Sequence, residues 1–270
     1  MRRIVHLSDL HFGRINPVVI DPLIRIVREI EPHVVAVSGD LTQRARAYQF
    51  QQARSFLDAL PKPQIVVPGN HDIPLHNPFA RFVERLTKYK HYITNDLDPI
   101  YEDEELAVLG VNTARSSVWK GGRINETQVG RLKEKFCSLK REVVKAVVTH
   151  HPFDLPEGHS ESGLVGRARM AMTSLAECGA DLFLAGHLHV SHTGHTTKRY
   201  KIQGHSALVV QAGTATSTRE RGEANSFNLL SIAYPEVTVE KFSWNPPTTS
   251  FAVATSEQFK YTAEGWIRTG

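Results

Sequence analysis

Cysteine is nearly absent from this sequence: there are two in 270 residues, Cys137 and Cys178, in different segments and without CxxC spacing. So sparse a set suggests neither a disulfide framework nor a zinc ribbon, and a reducing cytoplasm fits. Long apolar runs are missing as well, and no stretch approaches the roughly 18 apolar residues of a membrane span. The start, MRRIVHLSDLHFG, carries two arginines, but His6 and Asp9 cut its apolar stretch and leave no core for a secretory signal. Charge of one sign is not concentrated anywhere. The 32 Lys and Arg against 28 Asp and Glu leave a formal charge of +4, which encourages an anionic substrate and argues against a nucleic-acid footprint. Walker-type glycine loops, GxSxG and Ser/Lys arrangements are absent, so no protein nucleophile is indicated. No internal repeat or low-complexity tract is present.

The one compositional excess is histidine, with 14 residues, which directs attention to metal sites. A chain of this length with 41% hydrophobic residues supports one compact α/β domain. Short β-rich runs, IVHLS (4–8), VVAVS (34–38), IVV (65–67), LAVLGV (106–111), VKAVVT (144–149) and LFLA (182–185), read as strands buried on both faces. Between them, PVVIDPLIRIVREI, YQFQQARSFLDAL, PFARFVERLTKY, NETQVGRLKEKF and LVGRARMAMTSLAEC place apolar residues at helical spacing. That alternation is the pattern of α/β layering. Beyond residue 199, ALVVQAG, FNLLSIAY and VTVEKFSW predict an antiparallel meander. NPPTTS (245–250) reads as a turn, which divides the chain into a catalytic domain (1–244) and a tail (245–270) that packs back on it.

Each early strand runs into the same kinds of residue. IVHLS leads to Asp9 and His11, VVAVSG to Asp40, and IVVPG to Asn70, His71 and Asp72; VVT leads to His150, and LFLAG to His187 and His189. Alone, any one of these is a polar group serving a turn at a strand end. In an open α/β sheet, however, ligands bind beyond the carboxyl ends of the strands, so five such ends should converge. Oxygen and imidazole donors without thiolate suit Mn, Fe, Zn, Co or Ni, and a carboxylate among them can bridge two ions. Two cations about 3.5–4 Å apart would activate a shared water, whose hydroxide attacks phosphorus, and clamp the oxygens of an in-line displacement.

In order, the segments DLH (9–11), GD (39–40), GNHD (69–72), HHP (150–152) and GHLH (186–189) resemble the calcineurin-like binuclear metallophosphoesterases, whose pattern is D-x-H, G-D, G-N-H-D/E, H-x-P and G-H-x-H. The resemblance implies two mixed β-sheets sandwiched between helices. It also implies one metal on Asp9, His11 and His189, a second on Asn70, His150 and His187, and Asp40 bridging both. His71 would contact the phosphoryl oxygen or protonate the leaving group. If VVTHHPF is a strand, adjacent side chains point to opposite faces. His150, two residues before the proline as in the family, would then face metal, and His151 would face the opposite way, as a hydrogen-bonded structural imidazole or, second to that, as part of the substrate rim. His76, His192, His195 and His205 match no ligand position. Arg44, Arg46, Arg115, Arg219 and Arg221 are the arginines placed to grip a phosphate, with Asn70, His71 and Arg115 taken as the substrate contacts.

GDLTQRA lacks the second aspartate of the GDxxDRG segment found in protein serine/threonine phosphatases of this superfamily. The compact length, the HHP form and GGRINETQVGRL most resemble the bacterial class III cyclic-nucleotide phosphodiesterases. A cytoplasmic phosphodiesterase acting on a small diester, with a cyclic nucleotide first, is therefore expected. The alternatives are a DNA or RNA nuclease, a lipid-precursor pyrophosphatase, or a scaffold protein that has kept the metal-binding fold and lost turnover.

Overall fold

The computed structural model describes residues 1–74, 81, 84–115, 121–156, 160–196, 199–200, 202, 205–219 and 222–270. Two mixed sheets lie face to face. The first has the order β13-β12-β11-β10-β1-β2-β3 and the second β4-β5-β6-β7-β9-β8. In the first sheet β1 (Arg2–Leu7), β2 (Val34–Ser38) and β3 (Gln64–Val67) run parallel. In the second, β5 (Leu106–Gly110), β6 (Val144–Val148), β7 (Leu182–Ala185) and β9 (Leu208–Gln211) run parallel, with β4 (Ile100–Glu102) and β8 (His192–His195) as antiparallel edges.

Alternation within each strand builds the layers. Ile4, Val34, Ala36 and Val67 of the first sheet meet Val108, Ala146, Val148 and Leu184 of the second in one buried cluster. Their neighbours Val5, Leu7, Val35, Val37 and Val66 face outward instead, into a cluster with the helical layer. Successive side chains on a strand point to opposite faces, so an all-apolar strand has both faces covered. The outer layers are α1 (Ile20–Ile30), α2 (Ala47–Ala59) and α3 (Thr87–Tyr92) on one side, and α4 (Glu126–Cys137) and α5 (Ala168–Ala176) on the other. The order helix, sheet, sheet, helix is the expected metallophosphoesterase sandwich. Local chemistry agrees with it at α4, where the Asn125 side chain accepts from Gln128 N while Gln128 Oε1 accepts from Asn125 N, closing a capping box.

Two expectations are corrected and a third is tested only in part. ALVVQAG does not join a meander: β9 pairs parallel with β7, and the meander is β10 (Ser226–Ala233), β11 (Glu236–Asn245), β12 (Ser250–Thr262) and β13 (Gly265–Arg268). All four residues of β9 are buried, as the centre of a covered sheet demands, and a run that short carries no signal for parallel pairing. The helix read from PFARFVERLTKY is described only at its end, in α3; residues 78–80 and 82–83 lie outside the described residues. Finally, Cys137 and Cys178 form a disulfide, with Cα atoms 4.6 Å apart, that ties the end of α4 to the turn after α5. Their separation of 41 residues hid a contact made only when the two helices pack side by side. The pair removes the argument for a reducing compartment. Among the described residues no helix is long and apolar enough to cross a membrane.

Residues 245–270 form a short 3-10 turn (Pro246–Thr248), β12 and β13. Trp266 is buried, and its Nε1 donates to Asp181 Oδ1 at 2.7 Å. The same carboxylate accepts both terminal nitrogens of Arg141 and the amide of Lys145, so one fully buried acid joins the last strand to the second sheet.

The disulfide sets a direct check. Protein unfolded without reductant should titrate no free thiol, and reduction should cost about 2–4 kcal/mol of stability, the usual worth of closing a loop of this order. Two titratable thiols per chain would mean that the helices bring the sulfurs together without joining them.

Candidate metal centre

The carboxyl ends of β1, β2 and β3 and of β6 and β7 meet at one edge of the sandwich. Asp9 and His11 lie just beyond β1, Asp40 beyond β2, and Asn70, His71 and Asp72 in a 3-10 turn beyond β3. His150 and His151 follow β6, and His187 and His189 follow β7. Asp9, His11, Asp40 and His189 place ligand-type atoms within 4.8 Å of one another, and so do His150, His151 and His187. His11 Nε2 is 3.2 Å from His189 Nε2 and 3.5 Å from Asp9 Oδ1. His150 Nε2 is 3.1 Å from Asn70 Oδ1 and 3.3 Å from His187 Nδ1. Asp40 Oδ2 lies between the groups, 3.7 Å from His11 Nε2 and 3.4 Å from His150 Nε2.

The backbone is bent to achieve this. Of ten described non-glycine residues with positive φ, five are Asp9, His11, Asp40, His187 and His189, with φ between 50° and 75°. Each left-handed non-glycine residue costs on the order of 1 kcal/mol, and such strain gathers where surrounding structure imposes it for function. The motif glycines serve close approach: a Cβ on Gly69 would overlap Asp40 Oδ1, and one on Gly186 would overlap Ser8 Oγ. Second contacts aim the rings. His150 Nδ1 donates to Ser38 O at 2.8 Å and His189 Nδ1 to Arg219 O at 3.3 Å, so both turn Nε2 inward. His187 N and Ser8 Oγ donate to Asp9 Oδ2, while the fully buried Asp9 Oδ1 accepts no hydrogen bond among the described residues.

Burial and neighbouring charge act on these groups together. Burial alone would raise the Asp40 carboxyl, but His150, His71 and His11 hold it well below the usual carboxylate range; burial likewise opposes, and His189 and His11 outweigh it, at Asp9. Burial would lower His150, yet Asp40 pushes it up to about 9, whereas burial and His150 together push His187 down to about 4. Two buried acids and several inward ring nitrogens, with His189 Nε2 3.2 Å from Asp9 Oδ1, form an oxygen and imidazole set that fits a hard-to-borderline divalent cation, which would take the place of the ring protons.

His151 keeps the expected hydrogen bond but not the expected opposite orientation. β6 ends at Val148, so strand alternation no longer governs residues 150 and 151. The two rings meet edge to face at 4.8 Å, and the His151 ring is 4.8 Å from that of His187. His151 Nδ1 is also 2.8 Å from Thr113 Oγ1, so the ring is both hydrogen-bonded and beside the site. His192 and His195 lie on β8, and neither they nor His205 belong to either donor group; His76 and Arg221 lie outside the described residues. The guanidinium of Arg115 donates to Asn112 O, Ala114 O and Gln128 Oε1. His71 Nδ1 donates to Gln43 O at 2.9 Å, leaving Nε2 toward the site, and burial lowers the ring's pKa.

Asp72 carries weight that the motif alone does not reveal. Buried, it accepts from Leu41 N, Thr42 N, Thr42 Oγ1 and Gly69 N, and so pins the loop carrying Asp40 to the turn carrying Asn70 and His71. Burial and then Asp40 raise its carboxyl to about 7, while those amides favour the charged form.

Strand order, donor set and motif spacing agree with the calcineurin-like class, and the chain belongs to that family: the profile of the calcineurin-like phosphoesterases matches residues 2–191. Among characterised proteins, it is 35% identical over 173 residues to the glycerophosphodiester phosphodiesterase GpdQ of Enterobacter lignolyticus (strain SCF1). That match spans 58% of this chain and 59% of the relative. Among solved structures, the purple acid phosphatase PPD1 from yellow lupin (Lupinus luteus) seeds shares the fold, with a TM-score of 0.71 and 12% identity over 95% of this chain and 53% of that one. GAP50, the anchor in the inner membrane complex of Plasmodium, does so with a TM-score of 0.63 and 12% identity over 94% and 87%.

Asp72→Ala should lower the unfolding free energy by about 2–4 kcal/mol, because it strands several buried donors at once. An unchanged urea midpoint would mean that other contacts hold the two loops.

Proposed function

We propose that the chain is a dimetal-dependent phosphodiesterase that hydrolyses a small phosphodiester. One observation carries the reading: Asp40 Oδ2 stands between two groups of buried donors, 3.7 Å from His11 and 3.4 Å from His150. Asp9, His11 and His189 would hold one ion, Asn70, His150 and His187 the other, and Asp40 both. Ions bound there (Mn, Fe, Zn, Co or Ni) would supply Lewis acidity, lowering the pKa of water and neutralising phosphoryl charge. The protein's own part is to fix the geometry. Ser38 O and Arg219 O set the histidine rings, Asp72 sets the spacing of the loops, and Asn70 and His71 present polar atoms to the substrate. His71 holds Nε2 toward the site as leaving-group acid or phosphoryl contact. Arg115 would reach a substrate by releasing Gln128 Oε1.

A 3′,5′-cyclic nucleotide is the first substrate class to test, and the likeness to a glycerophosphodiester phosphodiesterase supports small diesters of glycerol beside it. A nuclease gathers its polyanion through several Lys and Arg contacts, and a formal charge of +4 without a basic tract gives little support for that. The cytoplasmic location expected from sequence stands as part of this proposal, and the Cys137–Cys178 disulfide counts against it.

Metal analysis combined with a panel of diesters, monoesters and nucleic acids tests the reading. Wild type should bind two ions and turn over a bis-aryl phosphate and at least one cyclic nucleotide or glycerol diester, while Asp40→Ala loses both ions and activity. Two ions with normal turnover in that variant would sink the assignment. Steep salt-dependent DNA cleavage with no small-diester turnover would replace it with the nuclease reading.

His71→Ala should keep both ions and lower kcat by about 10²–10⁴. A loss that shrinks for an activated aryl leaving group would identify a leaving-group acid; an equal loss for poor and good leaving groups would identify a phosphoryl contact.

A further inference from the structure

We propose that Arg219 is a catalytic residue of this site, its guanidinium contacting a phosphoryl oxygen of the bound diester beside His71. The inference rests on the phosphodiester reading above. Of Arg44, Arg46, Arg115 and Arg219, only Arg219 places its guanidinium within hydrogen-bond distance of a site residue among the described residues: Arg219 Nη1 is 3.2 Å from His71 Nε2. His71 is fixed from behind, with its amide donating to Asp40 Oδ1 at 2.8 Å, Nδ1 to Gln43 O, and its ring edge-on to that of His11 at 5.0 Å. The arginine and His71 Nε2 therefore share one spot at the rim of the donor groups.

The segment carrying Arg219 is also held, and by the site itself. Arg219 O accepts from His189 Nδ1, and Arg219 N donates to Ser217 Oγ. Ser217 N donates to Thr214 Oγ1, whose hydroxyl in turn donates to Asp9 O, and Thr216 Oγ1 donates to Leu10 O. The stretch from Thr214 to Arg219 thus lies against the β1 exit loop that supplies Asp9 and His11. A guanidinium held there faces the oxygens of a diester without a conformational search, which is the condition under which a fixed positive group stabilises developing charge.

The chemistry restricts it to one role. During hydrolysis the bond from water oxygen to phosphorus forms as the bond to the leaving oxygen breaks, and negative charge grows on the phosphoryl and leaving oxygens. Arginine keeps its proton throughout and cannot serve as the acid, so it contributes charge and paired donors only. The charge-stabilising guanidinium and His71 then stand side by side on two separate loops, one between β9 and β10 and the other after β3.

The test compares wild type with Arg219→Ala, Arg219→Met and Arg219→Lys, all loaded with manganese. The backbone carbonyl that orients His189 survives every substitution, so both ions should stay bound and thermal stability should change little. Arg219→Ala and Arg219→Met should lose about 10²–10³ in kcat, as for removal of one charge-stabilising donor. Arg219→Lys should recover part of that loss, and added guanidinium ion should partly rescue Arg219→Ala. Calorimetric titration with orthophosphate should show at least a tenfold weaker affinity in the alanine variant. A kcat within threefold of wild type with unchanged orthophosphate affinity would overturn the proposal. Loss of the ions in every variant would overturn it too, by giving the side chain a structural role. A wild type inactive on every diester but binding orthophosphate through Arg219 would instead sink the phosphodiesterase reading and keep the arginine as an anion contact.

Discussion

Two carboxylates held out of water dominate this molecule. Asp9 and Asp40 are essentially inaccessible to solvent, where an uncompensated charge is untenable. Burial pushes both toward the neutral form, and the facing histidines, with donors such as the His187 and His71 amides, keep them charged. That compensation must come from both halves of the molecule, because Asp9, His11 and Asp40 arrive on the first sheet while His150, His187 and His189 arrive on the second. The sandwich is thus a device for opposing the carboxyl ends of two sets of parallel strands, and the alternating apolar residues between the sheets set how closely those ends approach.

Much of this was legible because it is local or periodic. A strand buried on both faces shows as an unbroken apolar run, and a group at its end is found by reading a few residues further. The five motif ends were therefore visible together, as was the layering. What could not be read was pairing. β9 looks like any short apolar run, and only its neighbour decides that it runs parallel to β7. Cys137 and Cys178 have no periodic signature, and their contact depends on how α4 and α5 pack. His151 shows a different failure: the alternation rule was sound, but the strand it was applied to stops two residues earlier, at Val148.

The residues that complete the site share a feature that hid them. Asp72 sits inside a recognisable motif, yet its hydrogen bonds reach back to Leu41 and Thr42, about thirty positions earlier. Thr113 and Gly122, which confine the His151 ring, come from outside the five ligand motifs. Arg219 lies outside every motif and reaches the centre only because Thr214, Thr216 and Ser217 hydrogen-bond to the loop after β1. A sequence pattern reports groups that touch the reacting centre, whereas the groups that hold those in place are scattered by the topology.

This division also bears on substrate choice. A likeness to a plant phosphatase at 12% identity with a TM-score of 0.71 establishes a shared scaffold, and scaffolds of this kind carry many reactions. Donor groups like those around Asp40 answer to the phosphoryl centre, which all phosphoesters share. Discrimination among diesters has to come from side chains that meet the ester groups beyond phosphorus, and such side chains stand on loops at the rim rather than at strand ends. His71 and Arg219 stand inside that rim, one from the turn after β3 and the other from the segment between β9 and β10. Acting as proposed on oxygens attached directly to phosphorus, both would favour phosphoesters as a class. The identity of the alcohol is decided one layer further out.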